Sequence, residues 1–411
     1  MNRTILFAAI ASLLLAGNAN AAKYIVSYDS NRASSVRSSV VKAGGKITRQ
    51  FEIIDAFVAE IPDTRSAEKI SRIKGVQAVE EDKVINWLSG TTEINRSSYE
   101  LPSLQDILTK IRTESKDANI PMVSAPEITE DAYGLDFASI FANEVPWGVA
   151  RVKADKFWNV TEGAGIKVAV IDTGINYNHP DLKANYAGGY NAINPSLTPM
   201  DDQGHGTHVA GTIAAVRNNV GVVGVAPKAR LYAVKVLGGD GSGSYSSIIG
   251  GVEWAVKQNV NVINMSLGGG GYMTAFHKSL KAAVNAGITV VCAAGNDHGA
   301  VSYPAKYPEA IAISALTNYD TLAYFSNRGP EIEFIAPGSA ILSTSKSGGY
   351  EEMSGTSMAC PHVAGLAALA ISAGHKTPAQ VRAAFKKASV KLSSLTNDQQ
   401  GSGIIQANHL K

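Results

Sequence analysis

Apolar and polar positions change rhythm twice along the chain. Tyr24–Tyr28 alternates with the period of two that marks a strand, and the polar, charged stretch Ser30–Ala43 predicts a helix closed by Gly44-Gly45. Lys46–Ile54 and Ala56–Ile61 predict two more strands. Asp63–Ile73 predicts a second helix, capped by Asp63 or Thr64 and closed by Gly75, and Val76–Ile85 a last strand. The order βαββαβ implies a small α+β sheet of the split-βαβ, ferredoxin-like kind, with two helices on one face. Its core is small, and alone it would be marginally stable.

Ser89–Phe141 breaks that rhythm. It is polar, rich in Asp and Glu, and carries Pro102, Pro121 and Pro126, with one amphipathic stretch around Leu104–Ile111. The pattern reads as a linker open to proteolysis. From Val145 onward, short apolar runs alternate with helical ones. Val168–Ile171, Leu231–Val236, Val260–Met265 and Thr289–Cys292 predict buried strands. His205–Ala215, Ser246–Gln258, Tyr272–Ala286 and Met358–Ala370 predict helices between and after them. Alternation of this kind predicts an α/β fold, a doubly wound, mostly parallel sheet with helices on both faces.

Composition narrows the function classes. A net charge of +2 over 411 residues, without long basic or acidic blocks, argues against nucleic acid or an anionic membrane as partner. The start of the chain has Arg3, an apolar Ile5–Leu15 run and Ala19-Asn20-Ala21, the order of a cleavable secretory signal over residues 1–21. That run is too short to span a bilayer, so export without a membrane anchor is expected, into the medium or a periplasm. The only two cysteines, Cys292 and Cys360, exclude a disulfide scaffold and leave one bridge or two buried thiols open.

Three segments carry candidate chemistry. Gly355-Thr-Ser-Met-Ala359 delivers Ser357 to the start of an Ala-rich helix, where a helix terminus stabilises developing negative charge; an ordinary capping serine is the plainer reading. Pro361 is expected in that helix's first turn, where a missing N–H costs nothing. Asp172 ends the apolar strand Val168–Ile171, at the carboxyl edge where α/β sheets place their sites, although turns also use Asp there. In Asp201-Asp-Gln-Gly-His-Gly-Thr-His208, His205 lies between glycines ahead of a small-residue helix. Two histidines three apart near two aspartates also raise a metal-dependent hydrolase. Together, Asp172, His205 and Ser357 supply carboxylate, imidazole and hydroxyl for an activated nucleophile, in the chain order Asp…His…Ser.

These motifs, with Leu237-Gly-Gly-Asp-Gly-Ser-Gly243, Asn264-Met-Ser-Leu-Gly-Gly269 and Ala293-Ala-Gly-Asn296, resemble the subtilisin family of secreted serine proteases from Asn143 to His409. The resemblance implies a subtilisin-like peptidase domain over residues 142–411 and a triad of Asp172, His205 and Ser357. It makes Asn296 the side-chain oxyanion donor beside the Ser357 N–H and leaves His208 structural. Substrate would be clamped as an added strand by Gly241-Ser242-Gly243 and Ser266-Leu267-Gly268. The first specificity pocket would be walled by the backbones of Ser266–Gly268 and of Ala293, Ala294 and Gly295, with Asp297 and Ser302 at its far end. Tyr245, Ile248 and Leu267 would form an apolar fourth pocket. Broad specificity for large apolar or aromatic residues before the cut follows, with tolerance of basic ones through Asp297.

The same resemblance implies structural Ca2+ on Asp181, Asn218, Asn143 and the carbonyls of Val216, Val220 and Val222, and no catalytic cofactor. A weaker cation site would involve Ala305, Tyr307, Glu331 and Glu333. It also makes residues 22–88 a propeptide, inhibitor and folding helper, cut after Leu88 with Ile85 and Leu88 filling the fourth and first pockets. Residues 89–141 would be an acidic linker, trimmed near Phe141. The expected product is a monomeric, autoprocessed endopeptidase acting on proteins; a catalytically inactive binding protein of the same fold is the alternative.

Overall fold

The computed structural model describes residues 21–88 and 145–410, so the predicted secretory signal, the acidic linker and Asn143 fall outside the described residues. The chain divides into two units, one containing residues up to Gln50 with Asp55–Asp82, the other containing Phe51–Ile54 and everything from Lys83.

In the first unit, strands Ala22–Tyr28, Lys46–Gln50, Ala56–Ile61 and Val76–Glu81 form one sheet in the spatial order second, third, first, fourth, with every pair antiparallel. Val26 and Tyr28 are two apart, as are Phe57, Ala59 and Ile61, so each set shares a face. Both sets pack against Val36 and Val40 of the helix Ala33–Lys42 and against Ala67 and Ile70 of the helix Thr64–Ser71. Both helices therefore cover one face, as the alternation predicts. Asp63 is the cap of the second helix, its Oδ1 accepting the Ser66 N–H at 2.7 Å.

Two predicted strands are too long. Lys46–Ile54 stops at Gln50. Phe51–Ile54 leaves the ladder, and the Glu52 and Ile53 N–H groups donate instead to the Glu253 carboxylate. Val76–Ile85 ends at Glu81 and resumes as Val84–Asn86, which pairs antiparallel with Ser242–Ser244. The alternation that supports the first part does not continue through Glu80-Glu-Asp-Lys83, where no apolar residue remains to hold a face.

The second unit is built on a nine-stranded sheet among the described residues. Its central strands are Tyr186–Asn191, Arg230–Lys235, Lys167–Asp172, Val262–Met265, Thr289–Ala293, Ile311–Leu316 and Ile332–Pro337, in that spatial order and all parallel. Short Ile404–Ile405 and antiparallel Ser389–Val390 finish one edge. The two faces separate residue by residue. Val168, Val170, Leu231 and Ala233 join a core with the helices His205–Ala214 and Thr356–Ser372. On the other side, Gly251 of the helix Tyr245–Lys257 lies so close to Ile171, Val234 and Val236 that only a glycine fits. After Lys167–Asp172 the chain forms the edge strand Tyr186–Asn191, returns inward to Arg230–Lys235, and then crosses to the other side of Lys167–Asp172. The carboxyl end of that strand, Asp172, is thus where the winding reverses and α/β folds open a crevice.

The long helix departs from expectation at Pro361, which lies in its interior and not in its first turn. Interior proline leaves the carbonyl four residues back without its N–H donor. Here that carbonyl belongs to Ser357, and the Ser266 hydroxyl supplies the missing hydrogen bond at 2.8 Å.

Two histidines are sealed inside this unit. His208 Nε2 lies 2.8 Å from the Ile341 carbonyl and 3.1 Å from that of Glu351, and His362 Nδ1 lies 2.8 Å from the Met358 carbonyl. Burial lowers their basicity, His208 to about 3 and His362 to about 4. An unfolded histidine takes its proton near pH 6.5, so below about that pH the unfolded chain binds more protons than the native one. The stability these residues confer is complete above about pH 6.5 and is lost as the pH falls toward their folded values. Thermal unfolding should therefore be level above about pH 7 and drop steeply below about pH 6. His362→Asn should flatten that acid slope; a slope equal to that of the parent would refute the assignment.

Candidate active site

Asp172 and His205 reach each other because one ends a central strand and the other begins a helix across the crevice. His205 Nδ1 lies 2.8 Å from Asp172 Oδ1, with both side chains buried. The same Oδ1 accepts the Thr173 N–H at 2.8 Å. A carboxylate oxygen only accepts, so Nδ1 carries the hydrogen and Nε2 keeps the lone pair that a general base needs. Asp201 holds the helix start, taking the N–H groups of Gln203, Gly204 and Thr207 and the Thr207 hydroxyl.

Ser357 is the second residue of the helix Thr356–Ser372 and is buried. As a first-turn residue, it has an N–H without an intrahelical acceptor, at the positive end of the helix. Its Oγ donates to the Ser266 carbonyl at 3.2 Å. Asn296 is oriented by two donors, since its Oδ1 accepts the Thr356 N–H at 2.8 Å and the Thr356 hydroxyl at 2.9 Å. Its amide nitrogen is therefore turned toward the cleft that Asn296 lines together with Ser357.

Counted out to its open mouth, with the solvent there included, that cleft spans about 270 Å³. Trp87, Leu267, Gly268, Ala293, Gly295, Asp297 and Ser302 line it, and all of these but Trp87 belong to the segments expected around the first specificity pocket. Ala294 contributes its carbonyl, which accepts the Ser302 N–H at 2.9 Å. Beside it, Val84, Ile85 and Asn86 pair with Ser244, Gly243 and Ser242. The Trp87 N–H donates to the Gly241 carbonyl at 3.1 Å, and the Gly268 N–H donates to the Trp87 carbonyl at 3.0 Å. One strand is thus held between the two predicted clamps. Its side chains differ from expectation. The Trp87 indole packs edge-on against Tyr245 and Phe276, and its Nε1 donates to the Gly243 carbonyl at 2.9 Å. Leu88 rests near Gly241, away from the lining of the first pocket. Ile248 and Leu267 are buried, and Phe276 is an aromatic wall that the motifs do not reveal.

Lys235 was also absent from the motif reading. It stands opposite Asp172 in the parallel register, and its buried ammonium donates to the carbonyls of Thr173 at 2.7 Å and Leu237 at 2.9 Å. Asp202 completes the shell at 2.6 Å. One cation ties together the Asp172 strand end, the loop before His205 and the start of the substrate clamp. The available signal was a lysine inside the apolar run Leu231–Val236.

The metal-hydrolase arrangement is not formed. His208 is directed to backbone carbonyls, Asp201 to a helix start and Asp202 to Lys235. Among the described residues no group of three His, Cys, Asp or Glu side chains converges as metal ligands. The predicted calcium residues do gather. Asp181 Oδ1 accepts from Asn218 Nδ2 at 2.9 Å, Asp181 Oδ2 from the Val222 N–H at 3.2 Å, and the Asp181 carbonyl from the Val216 N–H at 2.9 Å. The Val220 N–H donates to Asn218 Oδ1 at 3.1 Å. Burial raises the Asp181 pKa, and no lysine or arginine pairs with it among the described residues. A buried carboxylate without a cationic side chain beside it suits a hard cation. The weaker predicted site does not fit one: Glu333 is paired with Arg382 at 3.0 Å and Glu331 with Lys306 at 3.5 Å.

An acid–base pair beside a helix-borne serine and an oriented amide is the apparatus of a serine peptidase. Residues 163–403 match the model of the subtilase family, and the chain belongs to that family. It is 41% identical over 352 residues to subtilisin J of Geobacillus stearothermophilus, covering 83% of this chain and 86% of that protein. It is likewise 41% identical over 351 residues to subtilisin E of Bacillus subtilis (strain 168), with the same 83% and 86% coverage. To the subtilisin of Bacillus pumilus it is 48% identical over 261 residues, 62% of this chain and 94% of that protein. The protein is a subtilisin-like serine endopeptidase.

Both cysteines are free buried thiols. Cys360 Sγ donates to Asn264 Oδ1 at 3.2 Å, and Asn264 Nδ2 donates to Ser266 Oγ at 3.0 Å, which aims the Ser266 hydrogen at the Ser357 carbonyl. Burial pushes both thiols well above their ordinary pKa. Iodoacetamide at pH ~8 should leave native enzyme active and label both cysteines only after denaturation, since the thiolate is the reactive form. Ser266→Ala should cost about 1–3 kcal/mol in denaturant unfolding by stranding the Ser357 carbonyl. Ser266→Thr, which keeps the hydroxyl, should recover part of that, and an Ala variant as stable as the parent would exclude the role.

Proposed function

We propose that Ser357 attacks the peptide carbonyl, that His205 takes its proton and returns it to the leaving amine, and that Asp172 holds the imidazole tautomer and stabilises the imidazolium. Asn296 and the Ser357 N–H receive the oxyanion. The observation that carries this reading is the 2.8 Å contact between His205 and Asp172 beside a cleft lined by both Ser357 and Asn296. The Ser357 hydroxyl donates to the Ser266 carbonyl without substrate, and catalytic hydrogen bonds commonly form or tighten only when substrate binds.

Substrate enters as an added strand on Gly241–Gly243 and Ser266–Gly268, and main-chain pairing makes binding tolerant of sequence. Large apolar or aromatic residues precede the cut. Residues 22–88 act as propeptide and intramolecular inhibitor; the pairing of Val84–Asn86 with Ser242–Ser244 supports this reading. Cleavage follows Leu88, and a second cut near Phe141 removes the acidic linker. The amino-terminal pattern supports export, and among the described residues no helix is long and apolar enough to cross a membrane. The mature enzyme acts as a monomer on protein substrates.

Calcium, when bound, would be held by Asp181, Asn218 and the carbonyls of Val216, Val220 and Val222, with Asn143 completing the set. It supplies charge compensation to the buried carboxylate and no step of catalysis.

Ser357→Ala protein should accumulate as uncleaved precursor without peptidase activity; maturation of that variant in isolation would sink self-processing. Asn296→Ala should mature slowly and lose about 10²–10³ in kcat with little change in KM, the magnitude known for removal of this donor in subtilisin. N-terminal sequencing of the secreted form locates the cuts, and a start at Ala22 would exclude both. Chelation should shorten the half-life at elevated temperature without altering initial kcat, because a ligand bound only by the folded state stabilises it. Asp181→Asn should erase that chelator sensitivity; an unchanged response would place calcium elsewhere.

A further inference from the structure

The floor of the specificity cleft is organised by Asn327, a residue outside every catalytic motif. Its side chain is fully buried. Oδ1 accepts the N–H groups of Asp297 and Gly299, each at 2.9 Å, and its own N–H donates to the Gly295 carbonyl at 2.9 Å. Those two backbone donors fix the amide orientation, so Nδ2 faces the other way and donates to the Ala294 carbonyl and to Ser302 Oγ, each at 3.2 Å. Gly295 passes so close to both groups that a Cβ there would collide with Asn327 Nδ2 and Ser302 Oγ.

An amide nitrogen only donates, so Ser302 Oγ is the acceptor in its contact with Asn327. The Ser302 hydrogen is left to donate elsewhere, and Ser302 lines the cleft. We infer that Asn327 polarises the pocket floor into a hydrogen-bond donor, so that the enzyme favours residues before the cut whose far end carries an acceptor oxygen, tyrosine above phenylalanine. The inference rests on the reading that this cleft takes the side chain before the cut bond. Asn327 is a positioning residue; Ser302 makes the contact. A pocket that offers a hydrogen bond rejects the analogue that cannot use it, because the pocket group is then left unpaired.

The test uses mature enzyme and succinyl-Ala-Ala-Pro-Xaa p-nitroanilides in which Xaa is phenylalanine, tyrosine or 4-aminophenylalanine. The three side chains are close in size, and the neutral aniline nitrogen is a poor acceptor. Wild type should prefer tyrosine to phenylalanine by about 3- to 10-fold in kcat/KM, the net worth of one neutral hydrogen bond, with no gain for 4-aminophenylalanine. Ser302→Ala should bring that ratio to about one, since the contact to the tyrosine oxygen is removed. Asn327→Asp keeps the Oδ1 acceptor but turns the Ser302 hydrogen onto a carboxylate, so 4-aminophenylalanine should rise relative to phenylalanine. A wild-type ratio near one, or a ratio that survives Ser302→Ala, overturns the inference while leaving the protease reading intact. Should Asn327→Asp fail to fold, the Ser302→Ala ratio decides alone. Failure to cleave any of the three substrates would overturn the underlying assignment of the cleft, and this inference with it.

Discussion

A carboxylate buried at the end of a central strand is costly unless its surroundings compensate it, and Asp172 is the charge around which this domain is arranged. Its Oδ1 is met by the Thr173 N–H and by His205. The backbone around it is held by Lys235, one of the few buried cations, whose donors reach Thr173, Leu237 and Asp202. Each partner comes from a different segment: the strand itself, the helix beginning at His205, and the neighbouring parallel strand. These contacts together fix the relative positions of the Asp172 strand end, His205 with the loop that carries it, and the segment that leads from Leu237 to Gly241. A catalytic arrangement costs little further reorganisation when the fold has already oriented it.

Ser357 is held by a second compensation, arising from a backbone defect. Pro361 removes the hydrogen bond that the Ser357 carbonyl would otherwise receive within its helix. The replacement comes from Ser266, whose hydroxyl is aimed by Asn264, whose amide is in turn set by Cys360. A break in one helix thus ties the serine's own backbone to the strand end at Ser266. The thiol serves as a small buried donor.

Much of this was legible in the chain before any coordinates. Asp172, His205, Ser357 and Asn296 stand in short motifs with glycine neighbours, and the strands that carry them are apolar runs with clear limits. The helices covering the two sheet faces follow the same logic, through the alternation of Val168 and Val170 against Ala169 and Ile171. Less legible were features whose cause is a distant partner. Pro361 looks harmless near a helix start until the helix proves to begin at Thr356. Val76–Ile85 reads as one strand, because nothing local announces that Val84–Asn86 will pair with Ser242–Ser244. Trp87 and Phe276 are separate aromatics in sequence and one pocket in space. Lys235 and Asn327 carry no motif at all, since their roles are defined by three or four backbone groups drawn from different loops.

That difference bears on how selectivity arises in an enzyme of broad specificity. On the proposed reading, Gly241, Gly243 and Gly268 would pair with substrate main chain, which every peptide presents alike, and so would contribute affinity without discrimination. Discrimination must come from the few side-chain contacts at the pocket ends, where a hydrogen bond left unmade costs more than one made gains. A glycine-walled pocket needs something beyond its walls to give its floor a defined polarity. In this chain a single buried amide does so, reaching from Ala294 to Gly299 and holding Ser302 in place. The catalytic motifs are then free to remain generic, because the preference among substrates is set by a residue that never touches them.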